Sequence, residues 1–214
     1  INKAGDDAAG MAVSERLKNQ VRGLNQAARN AQDGISMIQT AEGAMSEAHT
    51  ILARMRELAI QASNDTVTAS DRANLQVEFS ALYSEIDRIA TSTQFNGTAI
   101  LTGGSTSLTL QIGANSGDTI SVNVTPSSGF QPTRLEASFV GAGASITLQS
   151  VASATITVLD SAVNAVSTAR ASLGAMQSRL ESAGRSIAVA SENAAAANSR
   201  IADADIAGSM SELV

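Results

Sequence analysis

The chain has 214 residues, no Cys, no Trp, four Phe and one Tyr, against 39 Ala; a core this poor in bulk gains little area from each side chain, at about 25 cal/mol per Å², and argues against a deep-pocketed enzyme. Its 20 acidic and 14 basic residues give a net charge of −6, which disfavours nucleic acid, since phosphate binding needs a basic face. Zero Cys excludes disulfides and thiolate chemistry, and no apolar run reaches the roughly 18–20 residues that a membrane helix needs.

Both Pro and all five aromatics lie between Phe79 and Phe139, so the chain reads as two helix-permissive flanks around a mixed middle. In the first flank, apolar or small residues recur by threes and fours from Val13 through Leu24, Ile38 and Leu52 to Ala62. That is the heptad period of a helix with one narrow buried seam. The pattern predicts a long helix over about 4–63, of about 75 Å at 1.5 Å per residue. Gly10, Gly23, Gly34 and Gly43 interrupt it at up to ~1 kcal/mol each and are read as points of close backbone approach. Asp6-Asp7 is read as N-terminal helix charge and His49 as a plain residue on the flank of the seam.

The turn formers Ser63-Asn64-Asp65-Thr66 should end this helix. A short helix over about 70–92 follows, with Thr68 and Asp71 at capping-box spacing and Leu75, Phe79, Leu82, Ile86 and Ile89 as its buried stripe. The short connection predicts that it folds back antiparallel on the first. Asn96-Gly97 is a tight-turn signal. Ser107–Ile112 and Thr119–Val124 alternate with period 2 around a Gly113–Asp118 loop, which reads as a hairpin, and Ser145–Leu148 as a further short strand. The last flank repeats the heptad spacing from Leu159 through Leu173 and Leu180 to Ile201, predicting a return helix over about 157–206 packed along the first.

The expected architecture is therefore α+β and mostly α, an elongated antiparallel helical rod with both termini at one end. Residues 1–96 and 151–214 form the helical rod domain, and 97–150 a β-hairpin-rich region of the same domain. Ile1 is not Met and Val214 lies within a helical pattern, so a middle piece of a longer protein is expected. One His rules out the commonest triads and His-pair zinc sites; no P-loop or GxGxxG pattern occurs, and Asp203-x-Asp205 reads as a solvated helix face. The Asn-x-Thr triplets at Asn64, Asn96 and Asn123 read as turn and strand chemistry. No enzyme activity and no cofactor or metal is expected.

Seven segments then carry a resemblance: Ile1–Leu17, Gly23–Ile35 with Gln39–Met45, Arg54–Gln61, Glu85–Ile89 through Gln94–Gly97, Leu110–Asn115, Leu173–Leu180 and Ser199–Asp205. In this order they resemble the rod domain of bacterial flagellin, over about residues 1–115 and 155–214. The resemblance implies an extracellular subunit of the bacterial flagellar filament, for swimming motility. Its polymerisation segments would lie before Ile1 and after Val214, and the present piece alone would be monomeric. The implied partners are other flagellin subunits and, for the full-length chain, the flagellar export apparatus, an export chaperone and the cap protein. The span at about 125–150 replaces a large outer domain with a short variable loop.

The resemblance also implies recognition by a flagellin-sensing Toll-like receptor through Arg54, Leu58 and Glu78, on a surface that can equally pack against a neighbouring subunit; Leu58 is expected to be partly exposed. Ala53 stands where the family often has Gln. Gly113 and Asn115 mark a hairpin expected where subunits touch along a protofilament. The rival reading, a chemotaxis-receptor-like signalling rod, shares the Ala-rich heptads but would turn in a tight helical hairpin without strands.

Overall fold

The computed structural model describes residues 7–102, 107–123 and 145–203. The elements run α1 (Ala8–Ala62), α2 (Ala69–Ser92), β1 (Gln94–Phe95), β2 (Thr98–Ala99), β3 (Ser107–Gln111), β4 (Thr119–Asn123) and α3 (Gln149–Ala202). The protein is mostly helical with small two-stranded sheets, as the periodicity predicts. No helix among the described residues is long and apolar enough to cross a membrane.

Each end of α1 and α2 has a local cause. Asp7 opens α1, its Oδ1 accepting from Ala9 N at 3.0 Å; Asp6 lies outside the described residues. At the other end Arg72 reaches back from α2 and donates to the Ala62 carbonyl (2.8 Å), which a helix C-terminus leaves without an intrahelical partner, and to the Asn64 carbonyl in the turn beyond (3.0 Å), which also accepts from Val67 N. Thr68 and Asp71 close a full capping box at the start of α2. Thr93 ends α2, its hydroxyl and amide both donating to the Ile89 carbonyl. Asn96 and Gly97 follow with φ of 50° and 75°. These left-handed values suit a two-residue hairpin turn, and β1 pairs antiparallel with β2, Gln94 opposite Ala99.

Two corrections concern the return segment. Ser145–Leu148, expected as a strand, is an irregular lead-in to α3. Four alternating residues do not make a strand without a partner; here Ile146 N donates instead to Gln76 Oε1 of α2 at 2.6 Å, and Ile146 is buried. In addition, α3 begins at Gln149 rather than near 157. The β-branched run Thr155–Val158 has low helix propensity, but Ala152, Thr155 and Leu159 fall on one buried helical face, and packing overrides propensity. The expected loop at about 125–150 falls mainly on residues 124–144, outside the described residues, as do Asp205 and the rest of 204–214.

The chain divides into two compact units. The first comprises Ile1–Ile35, Thr109–Ser121 and Ser178–Val214. In it α1 and α3 run antiparallel: Ser14 Oγ donates to Asn198 Oδ1 (2.7 Å), and Ser191 Oγ, further back along α3, to Asn25 Oδ1 (3.0 Å). Its centre is Leu24, Ala27 and Ile187, with Ala28 and Ile112 packed against them. The buried stripe of α1 keeps Leu24, Ala31 and Ile38 of the predicted seam but takes Ala27 and Gly34 in place of Ala28 and Ile35. Ser14, Ala27 and Gly34 are buried, whereas Val13 is 44% exposed and Ala28 and Ile35 are half-buried. The hairpin packs on this side of α1. Leu110 sits over Gly34, Ala114 over Gly23, and Asn30 Nδ2 donates to the Gln111 carbonyl at 2.9 Å.

The second unit comprises Ser36–Leu108 and Val122–Gln177. Here α1, α2 and α3 share one core: Ile38, Met45, Leu52, Met55 and Ala59 of α1, Phe79 and Ile86 of α2, and Leu159, Ala162 and Val166 of α3 are all buried. Arg56 Nε donates to Asp160 Oδ1 at 2.6 Å and Arg170 Nη2 to Glu42 Oε1 at 3.5 Å, so α3 is antiparallel to α1 in this unit as well. His49 lies between those rungs at heptad spacing from Glu42 and Arg56, half-buried, and its buried Nδ1 has no hydrogen-bond partner among the described residues.

Candidate functional site

Arg54 joins two helices of the second unit. Its Nε donates to Glu78 Oε1 of α2 at 2.8 Å, and its Nη1 to Glu57 Oε2 at 2.9 Å. Both bonds stabilise the charged guanidinium, that to Glu78 more strongly, and hold its pKa above the ordinary Arg value. All three side chains are well exposed, so the group is a polar surface feature with two carboxylates on one cation.

Leu58 does not belong to that surface. It is 1% exposed, a correction to the expected partly exposed apolar contact. An isolated helix pair would leave it on the flank of a narrow seam. In this unit α2 packs beside α1, and with α3 also present the buried stripe of α1 widens to take in Leu58 beside the seam residues Met55, Ala59 and Ala62. Leu58 therefore belongs to the core, while Arg54, one turn before it on α1, stays at the surface. The side chain exposed near Glu78 is Val77, at 72%. Val77 is two residues from both Leu75 and Phe79, off the buried stripe of α2, and that spacing is a signal the sequence carries.

Gly113 and Asn115 lie in the loop between β3 and β4. Ile112 N donates to the Asp118 carbonyl at 2.8 Å, and Asn115 N to Asp118 Oδ2 at 3.1 Å. Gln111 Nε2 donates to the carbonyls of Gly113 (3.0 Å) and Asn115 (2.6 Å). Gly113 leaves no room for a β-carbon, because Asp118 packs directly against it. Asn115 is exposed. The loop is thus internally braced and presents its tip to solvent. Among the described residues no group of three His, Asp or Glu side chains could hold a metal ion.

Comparison with known proteins agrees along nearly the whole chain. Residues 1–106 match the model of the bacterial flagellin N-terminal helical region, and residues 156–214 that of the C-terminal helical region. A flagellin of Halalkalibacterium halodurans is 48% identical over 215 residues, covering 99% of this chain and 76% of that protein. The flagellar filament 30.7 kDa core protein of Treponema maltophilum is 44% identical over 218 residues, covering 97% and 75%. The crystal structure of Bacillus cereus flagellin superposes with a TM-score of 0.64 at 32% identity, covering 74% of this chain and 88% of that one. With both ends matched in order and relatives of this identity along its length, the chain belongs to the bacterial flagellin family, a family of structural proteins and not of enzymes.

Proposed function

We propose that the chain is a structural subunit of the bacterial flagellar filament and serves swimming motility from outside the cell. The family membership carries the reading. The physical design fits it: Ala-rich helices with shallow side chains let neighbouring backbones come close. The full-length chain would be handled by the flagellar export apparatus and an export chaperone and added beneath the cap protein. Expression of the full-length gene in a non-motile bacterium lacking its own flagellin tests this; restored swimming is expected, and secreted protein without swimming would contradict it.

A second reading rests on Arg54 and Glu78, exposed and paired across α1 and α2. This surface would be read by a Toll-like receptor when subunits are free, with Leu58 remaining in the core. Reporter cells carrying the receptor should respond to monomeric protein and lose most of that response to Arg54→Ala. An equal response to both would end this reading.

The braced loop at Gly113 and Asn115 would set the packing between subunits along a protofilament, and with it filament shape. Gly113→Ala should alter the waveform of filaments seen by electron microscopy; an unchanged waveform would count against this role.

A further inference from the structure

The second unit buries its helix pair under a third helix, while the first has no third helix among the described residues. In the second unit Leu52, Met55 and Ala59 are all but inaccessible. In the first unit Val21, Ala28 and Ile35, also at heptad spacing, are only half-buried. They line two hollows that follow one another between α1 and α3, of about 240 and 360 Å³, separated by the Asn25–Ser191 hydrogen bond. A helix pair with an uncovered apolar flank lacks a partner of helical width. The rim on α1 is basic: Arg16, Lys18, Arg22 and Arg29 occur with no acidic residue between Arg16 and Gln32. Lys18, Arg22 and Arg29 fall on one side of the helix, next to the hollows.

We propose that this groove receives the outer face of α2 from a second copy of the chain. That face carries Ala73, Val77 and Ala81 at successive i+4 positions, all exposed, with Val77 the most exposed large apolar residue described. Asp71, Glu78 and Glu85 run along the same helix at heptad spacing. Small apolar residues suit a narrow groove lined on α3 by Glu181 and Arg185; the acidic neighbours, with Glu78 paired to Arg54 and Glu85 to Arg88 within their own subunit, would meet the basic α1 side of the rim. The inference rests on the filament reading and names the surfaces that would meet. Groove and ridge are different surfaces, so the contact is heterologous: each copy that accepts a ridge still offers its own. Such a contact extends a chain of subunits rather than closing a dimer.

Because the chain has no Cys, introduced cysteines report on this contact alone. Full-length protein carrying both Ala28→Cys and Val77→Cys, assembled and mildly oxidised, should give a ladder of covalent oligomers beyond the dimer on a non-reducing gel. Either substitution alone should leave monomers. A covalent dimer from either single variant, or filaments of the double variant without a ladder, would overturn the proposal. Wild-type protein that forms no filaments would defeat the underlying filament reading. In a variant series without cysteine, Arg22→Glu with Arg29→Glu should raise the concentration needed for assembly about tenfold at low salt, and by less as salt screens the rim. Assembly of that variant identical to wild type at low salt would also overturn the contact.

Discussion

Leu110 of β3 occupies the space that a β-carbon on Gly34 of α1 would need, with Leu180 of α3 closing the notch 3.2 Å from the same point. The glycine is thus a seat for the hairpin, and Asn30, one turn earlier on α1, holds the adjoining Gln111 carbonyl. A helix residue chosen for its lack of a side chain costs propensity locally and recovers it through a strand brought from about 75 residues further along the chain.

The seat gives a paired prediction. Alanine at Gly34 gains up to ~1 kcal/mol in helix propensity but overpacks against Leu110 and Leu180, at about 1–3 kcal/mol; a net loss of about 1 kcal/mol is expected. Gly43 has nothing within 4 Å of a β-carbon, so Gly43→Ala should stabilise by about 0.5–1 kcal/mol. Urea unfolding of both variants checks the difference in sign.

Leu58 and Val77 should separate core from surface. Leu58→Ala opens a cavity under three helices and should cost about 2–5 kcal/mol, whereas Val77→Ala should stay within about 0.5 kcal/mol of wild type. Thermal unfolding distinguishes them. For recognition studies, a lost response from Leu58→Ala has to be read with its stability, while Arg54→Ala leaves the core intact.

The capping box of α2 predicts a pH dependence. Hydrogen bonds from the Thr68 hydroxyl, and then from its backbone amide, hold the Asp71 carboxyl below the ordinary Asp value of 3.8. A hydrogen bond from Arg88 holds Glu85 below 4.5. A depressed folded pKa stabilises the fold above the unfolded value, and that contribution is lost as pH falls through the folded one. Stability should therefore drop as the solution is acidified through and below the ordinary carboxylate range. Thr68→Ala removes the larger restraint, so carboxyl NMR should show Asp71 titrating closer to 3.8, with stability at neutral pH lower by about 1 kcal/mol from the lost cap.

His49 offers a substitution expected to help. Its buried Nδ1 has no hydrogen-bond partner among the described residues, and an unsatisfied buried polar atom costs about 1–3 kcal/mol. His49→Leu should hold or raise the melting temperature; a clear drop would mean that the ring makes a stabilising contact of its own.

These elements also show what local chemistry can specify. The limits of α2 were legible because Thr68-x-x-Asp71 and Asn96-Gly97 act through neighbours a few residues away. The long helices were legible through their period. The burial of Leu58 was not, because it depends on α2 lying beside α1 to widen a stripe that period alone reads as narrow. Nor was the burial of Gly34 in place of Ile35, where Leu110 packs on α1. The early start of α3 was hidden by Thr155–Val158, whose β-branched residues favour strands in isolation and become helical against a core. In the candidate site, Arg54 and Glu78 are brought together as a pair, while Val77 replaces Leu58 as the exposed apolar neighbour.

Filament formation is the claim on which the rest depends. Full-length protein, purified as monomer and seeded with short filament fragments, can be followed by electron microscopy. Filaments growing from the seeds, with helical order resolved in their diffraction, are the predicted result. Protein that stays monomeric, or aggregates without helical order under the same conditions, would contradict the account.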